Sequence, residues 1–301
     1  MNAHHYSLFG LNLESDMPLP ELAPAKPGVA PDVIVRTRPE AASTTNKELH
    51  PIEGGLSLTV NGIARYAVVG GAEIIVHPEP GASQRNVRLY LLGSAMGMLL
   101  HQRGLLPLHA NAIEIDGRAF LFMGHSGAGK STLAAWFHDQ GYRVVADDVS
   151  VIGFDGEGQP RVRPGLPRLR LWRDALDATG RDPASFERSY AGDDNYDKYD
   201  VPIEAANLPT GDFELSGIYL LARADRFGIS SLSGMEAADA VFANTYRGRY
   251  IDSMNQQRPH WEATLNLIRT TPIFRLERRW DHRLMRQEIE PVLAHARSLI
   301  G

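Results

Sequence analysis

The chain has no cysteine among its 301 residues, which excludes disulfides, a cysteine nucleophile and any zinc site built on thiolates. It also lacks an excess of positive charge. The formal net charge is −5, so the molecule as a whole offers no electrostatic platform for nucleic acid or an anionic membrane. No apolar run reaches the roughly 20 residues of a membrane span; the most apolar stretch, 87–100, contains Arg88 and Ser94 and reads as a buried helix. The segment MNAHHYSLFGLNLESDMPLP has neither the basic start nor the apolar core of a secretory signal. These absences lead us to expect a cytoplasmic protein with neither nucleic-acid nor membrane partners. No internal repeat is present, and no N-K-x-D base-reading motif, which argues against a GTPase switch.

What is present divides the chain in two. Residues 1–81 are β-rich and broken, with short runs at 32–37, 56–60, 66–70 and 72–78 punctuated by Gly-Gly, Asn-Gly and Pro. The Pro-rich stretch LPELAPAKPGVAPD reads as a loop. We expect here a small α+β domain for substrate docking or assembly, and in 82–301 a catalytic domain. The second part opens with one predicted helix, from Ser83 as N-cap to Gly104 as stop, in which Gly93 and Gly97 allow close packing. Strand-like runs at 108–115 and 118–124 flank Asp116-Gly117, a hairpin signal.

The second of these runs leads into GHSGAGKS, residues 124–131, which fits the G-x-x-x-x-G-K-[ST] pattern. A helix is predicted next, closed by Gly141, and then a strand, YRVVADD, ending in Asp147 and Asp148. Strand, glycine-rich loop, helix and strand is the setting of a genuine phosphate loop. Gly124, Gly127 and Gly129 let backbone N–H groups approach a polyphosphate, with Ser126 and Ala128 completing the cradle. Lys130 would reach the β- and γ-phosphates, Ser131 would offer its hydroxyl to Mg²⁺, and Thr132 completes the expected nucleotide-binding set. ATP and Mg²⁺ are therefore the expected cofactors. Of the two aspartates, one can serve the metal while the other faces the acceptor, and the residues alone leave that division open. His109 can take a proton, tune a carboxylate or be structural.

Farther along, RVRPGLPRLRLW (161–172) is basic and turn-rich, and YAGDDNYDKYDVP (190–202) reads as a mobile polar loop. A strand is expected at 216–223 and a helix at 233–246, with Ser233 and Glu236 spaced as a capping box. A C-terminal helix buries Met285, Ile289, Val292, Leu293 and Ala296, with Pro291 as a point of kinking or division. Phosphoryl transfer needs cations around the equatorial oxygens. The candidates are Arg168, Arg170, Lys198, Arg247 and Arg249, of which we single out Arg170 and Arg247. Arg275, Arg278, Arg279, Arg283 and Arg286 are interleaved with Glu277, Asp281 and Glu288 and read as an ion-paired surface rather than a nucleic-acid patch.

Residues 108–152, with a histidine before the loop, the loop itself and Asp-Asp soon after the next helix, resemble the core of bacterial HPr kinase/phosphorylase. The resemblance implies an α/β fold, an HPr-kinase-like P-loop core joined to the small β-rich domain. It also implies ATP-dependent phosphorylation of a serine hydroxyl on a peptide or small protein. Position by position, it makes Asp147 the base, Asp148 and Ser131 the metal residues, and His109 a neighbour that adjusts the base. The match is close over roughly 45 residues and loose beyond. The chain departs from the family where Thr132 replaces a glutamate and where RPGLPRLRLW lacks the family's Glu-Ile-Arg-Gly signature, so the resemblance does not extend to the reverse, phosphorylase reaction. The PGLPRLRLW and DKYDVP segments resemble a divergent branch that tailors ribosomally made peptides, lasso peptides among them, at or near a C-terminal serine. Relatives form hexamers, which leaves a homo-oligomer open. The alternatives are an HPr-type kinase of carbohydrate regulation, a small-metabolite kinase, and a nucleotide-hydrolysing module that transfers nothing.

Overall fold

Asp116 and Gly117, at φ 49° and 83°, close a tight hairpin between strands Ala110–Ile115 and Arg118–Met123. Two successive positive φ values match the right-handed twist of the paired strands, which is why Asp-Gly recurs at such turns. The computed structural model describes residues 3–26, 28–39, 48–193, 196–204, 207–209, 211–279 and 281–300. By its internal packing the chain forms two units. One comprises Met1–Leu106, Arg188–Tyr196 and Arg247–Trp261; the other comprises Pro107–Glu187, Asp197–Tyr246 and Glu262–Gly301. The boundary expected at residue 81 thus falls inside the first unit.

The first unit is built on an eight-stranded mixed sheet. Its order is Ala23–Pro24, His4–Leu8, Leu11–Ser15, Val33–Thr37, Glu73–Pro78, Ala64–Val69, Gly55–Val60 and Leu49–Ile52. The strand at 23–24 lies within the stretch read as a Pro-rich loop, and Pro27 of that stretch is outside the described residues. The expected helix after Ser83 forms as Gln84–Tyr90 and Met96–Gln102 joined by a π-helical turn, Leu91–Ala95. Ser83 precedes it without a side-chain capping bond. Buried Tyr66 ties the sheet to this helix by donating its hydroxyl to the Val87 carbonyl at 2.8 Å.

In the second unit the central strands are Ala110–Ile115, Arg118–Met123, Phe213–Arg223 and Ile273–Arg278, the last three mutually parallel. Val144–Ala146 adds antiparallel to Ala110–Ile115. Helix Lys130–Asp139 leaves the end of Arg118–Met123 through the glycine-rich loop. Helix Met285–Ser298 runs unbroken past Pro291 and buries Met285, Ile289, Val292, Leu293 and Ala296. Phe122 stands at the centre of the core, its ring 5.2 Å from Tyr219 and 5.4 Å from Phe137. Each such fully buried large side chain contributes roughly 1.5–3 kcal/mol of transfer free energy. The expected helix at 233–246 is Gly234–Ala243, and Ser233 makes no capping bond there.

Two expectations are corrected. The turn-rich segment 161–172 forms the strands Pro160–Arg163 and Arg168–Trp172. Part of the segment read as a mobile loop is a strand, Lys198–Pro202, while residues 194–195 lie outside the described residues. The strands Arg168–Trp172 and Lys198–Pro202 pair antiparallel, with Arg170 opposite Asp200 and Trp172 opposite Lys198. Side chains alternate across a strand. Here Leu169, Leu171, Tyr199 and Val201 enter the core, and the polar residues between them form the other face.

Candidate active site

The loop following Met123 is shaped by Gly129, which caps the helix at φ 77° and ψ 17°, a conformation that costs any residue with a Cβ. A Cβ there would also lie 3.4 Å from Nη2 of Arg278, so this arginine packs directly against the turn. Arg278 and its ion-pair partner Glu288, 3.7 Å away, are both buried, which corrects the reading of this cluster as a surface: the pair forms, but inside the fold beneath the loop. Lys130, the first residue of the helix, is buried and donates Nζ to the carbonyls of Gly124 at 2.6 Å and His125 at 3.1 Å. Its own carbonyl accepts a hydrogen bond from the buried Asn111 amide. Burial lowers the Lys130 ammonium to about 8, against the pull of Asp148.

The tandem aspartates follow Val144–Ala146 and part company. Asp147 is buried; Oδ2 accepts the backbone N–H of Arg170 at 2.6 Å, and Oδ1 is buried without a partner among the described residues. Burial pushes its carboxyl up to about 6, despite that hydrogen bond. Asp148 has φ 71°, which turns its carboxylate to different partners. Its oxygens lie 3.0 Å from Nη1 of Arg170 and 3.4 Å from Nζ of Lys198. Burial alone would raise the Asp148 carboxyl, but Lys198, Arg170 and His109 together hold it well below the usual carboxylate range.

His109 fixes this turn. Its Nδ1 lies 2.8 Å from the Asp148 backbone carbonyl. A carbonyl only accepts, so Nδ1 carries the proton and Nε2 is left with the lone pair. Burial and the nearby Lys130 ammonium lower the imidazole's proton affinity, which keeps it neutral near pH 7. Nδ1 is 3.8 Å from Oδ1 of Asp148.

These groups converge on one cavity of about 120 Å³, whose wall includes His109, Gly127, Lys130, Ser131, Asp148 and Lys198. Ser126, Gly129 and Thr132 line it too; Gly124 and Ala128 sit behind it, where a Cβ on Gly124 would meet the Ala128 side chain at 3.1 Å. Asp147 is not among the lining residues. Arg170 stands behind Asp148, 3.2 Å from Asp200 as well. Arg168 pairs with the other Asp200 oxygen. Lys198 lies over the Trp172 ring at 5.5 Å. Arg247 and Arg249 belong to the first unit and line a different cavity there. Sequence reasoning missed Asp200, Asn111 and Trp172. The signal for the first was the polar–apolar alternation of KYDVP; for Asn111 there was none beyond its place on the strand feeding the loop.

No family model and no curated protein matches the chain. Among solved structures, the chain is similar to the Hpr(Ser) kinase/phosphatase from Coxiella burnetii, with a TM-score of 0.36 and 14% identity, over 65% of this chain and 99% of that one.

A hard cation such as Mg²⁺ prefers oxygen ligands and keeps several waters, so one or two protein oxygens suffice. The Ser131 hydroxyl and the Asp148 carboxylate, on one cavity wall, fit that demand. Among the described residues no group of three or more histidines and carboxylates could hold a metal without such help. No described helix is long and apolar enough to cross a membrane.

Proposed function

We propose that this protein is an ATP-dependent kinase that phosphorylates a serine hydroxyl of a peptide, the C-terminal serine of a ribosomally made lasso-peptide precursor being the acceptor the sequence favours. One observation carries the reading: Lys130 and Ser131 of the loop share a cavity with Asp148, Lys198 and His109. Polyphosphate cradle, metal-side oxygens and an extra cation thus meet where a terminal phosphoryl group would lie. The cavity has room for about four waters at liquid density, the scale of that group. Bound Mg²⁺ would neutralise phosphate charge and hold its oxygens.

The chain's own residues do the rest. Loop N–H groups and Lys130 hold the phosphates. Lys198, which lines the cavity, rather than Arg170, which does not and is held by Asp148 and Asp200, stabilises the charge that spreads over the transferred group. His109 is a positioning residue that holds the Asp148 turn. Asp148, ionised and facing the cavity, suits the metal. Asp147, next to the cavity-lining Asp148, has the proton affinity a base needs and, among the described residues, an oxygen without a partner to receive the acceptor's proton.

The test is mass spectrometry of a peptide ending in serine, incubated with enzyme, ATP and Mg²⁺. We expect a phosphorylated terminal serine, abolished in Asp148→Asn and reduced about 10²-fold in Lys198→Met. ATP consumption without any phosphorylated acceptor would point instead to the hydrolysing module, and phosphorylation of a small alcohol but no peptide to a metabolite kinase.

A further inference from the structure

Lysine is scarce in this chain. Four lysines stand among its 31 lysines and arginines, and two of the four, Lys130 and Lys198, line one cavity. Arginine makes fixed, forked contacts, whereas a lysine ammonium is a compact charge on a flexible stem, so its contacts decide where it acts. Lys130 is held by two loop carbonyls. Lys198 has an ion to one side, Oδ1 of Asp148 at 3.4 Å, and an aromatic face to the other. Its Nζ lies 5.5 Å from the centre of the Trp172 ring, and its side chain is 11% exposed.

The backbone puts Trp172 in that place. It stands directly opposite Lys198 in the antiparallel pair of Arg168–Trp172 with Lys198–Pro202, and side chains directly opposite on one face of such a pair are within reach of each other. A tryptophan has a large apolar surface to bury, yet Trp172 is 40% exposed. It is the largest apolar side chain on a cavity wall made mostly of glycines, hydroxyls and charged groups. An ammonium over an indole face is attracted by the ring quadrupole, the more so where water is excluded. The two contacts of Lys198 differ in kind. Asp148 is the carboxylate we assign to the metal, so its hold on the ammonium is shared in the loaded site, whereas that of the ring is not.

We propose that Trp172 is a positioning residue for phosphoryl transfer, whose ring keeps the Lys198 ammonium at the cavity wall. The contact stands on geometry alone; its catalytic consequence rests on the kinase reading, in which Lys198 stabilises the transferred charge. Two readouts on the full chain test it. Trp172→Leu keeps an apolar side chain without a π-face, and Trp172→Phe keeps a face. The first readout is acetylation of the lysines by a limiting reagent, mapped residue by residue by mass spectrometry. We expect Lys198 to react several-fold faster in Trp172→Leu than in the parent, Trp172→Phe to stay close to the parent, and Lys130 to be unchanged. The second is ATP consumption with Mg²⁺ and the serine peptide, which registers transfer to serine or to water. Trp172→Leu should lower kcat about tenfold with little change in KM for ATP, and Trp172→Phe should recover most of that loss. Trp172→Leu added to Lys198→Met should cost nothing further, because the ring acts through the ammonium. That pattern in ATP consumption without any phosphopeptide would support the role of Trp172 and sink the serine-kinase reading. Unchanged labelling of Lys198, equal losses in the Leu and Phe variants, a loss that adds to that of Lys198→Met, or a parent that consumes no ATP would overturn the proposal.

Discussion

The Asp147 carboxylate is pinned by the backbone N–H of Arg170 through one oxygen, 2.6 Å away, and is buried without a partner among the described residues at the other. The residue after it has the opposite environment, a carboxylate caught between Arg170 and Lys198. Two adjacent identical side chains therefore differ in proton affinity because a turn at φ 71° sends them to different places.

Stability should record this difference in two pH windows. The Asp147 proton is bound more tightly in the folded protein, at about 6 against 3.8, so stability falls as pH rises from about 4 to 6, by about 3 kcal/mol. The Asp148 proton is bound less tightly on folding, so its contribution is present above about pH 4 and is lost in more acid solution. Urea denaturation across pH should show the fall between 4 and 6, and Asp147→Asn should flatten it. An unchanged slope in that variant would locate the titration elsewhere. If Asp147 is also the base, the parent's transfer rate declines below about pH 6, and Asp147→Asn loses roughly 10²-fold or more at all pH values.

Lys130 gives a separate signature. Its ammonium is lowered to about 8 while, among the described residues, its hydrogen bonds are to loop carbonyls. Triphosphate would restore the charge, so nucleotide binding at pH 8 should take up about half a proton. Calorimetry in buffers of different ionisation enthalpy measures that uptake. Lys130→Met should bind nucleotide much more weakly, and whatever it binds should draw no proton.

The hairpin and the loop were legible in the chain because their signals are local. Asp116-Gly117 and GHSGAGKS each span a few residues and specify their own backbone. The wall opposite the loop was harder to read. In 161–172 two prolines and a glycine obscured the alternation of Leu169 and Leu171, and in 190–202 a run of aspartates hid that of Tyr199 and Val201. Among the polar residues of those segments, Arg168, Arg170, Lys198 and Asp200 occupy the face of two paired strands opposite the core. That Arg170 stands opposite Asp200 depends on a pairing thirty residues apart in the chain, which no local pattern encodes. Arg247 was singled out for its charge and its place after a predicted helix, and neither says which unit the residue joins.

The buried pair under the loop yields a prediction about stability. Arg278 meets Glu288 at 3.7 Å with both side chains nearly inaccessible, and burial lowers the arginine's proton affinity. Removing one partner strands the other, so Arg278→Met should cost about 3–5 kcal/mol in chemical denaturation, moderated by Arg279, 3.2 Å from Glu288. The double substitution Arg278→Met with Glu288→Leu should regain most of the loss. A double variant as unstable as the single one would show that the charge pair was not the cause.

The two-residue rhythm of Lys198–Pro202 has a consequence for how this chain can change. A deletion or insertion of a single residue inside 198–202 would turn the strand over. On one side of the change the apolar residues, Tyr199 or Val201, would then face outward and the polar ones, Lys198 or Asp200, would turn toward the core. Within these five positions a change of length by two residues therefore keeps the faces in step where a change by one does not.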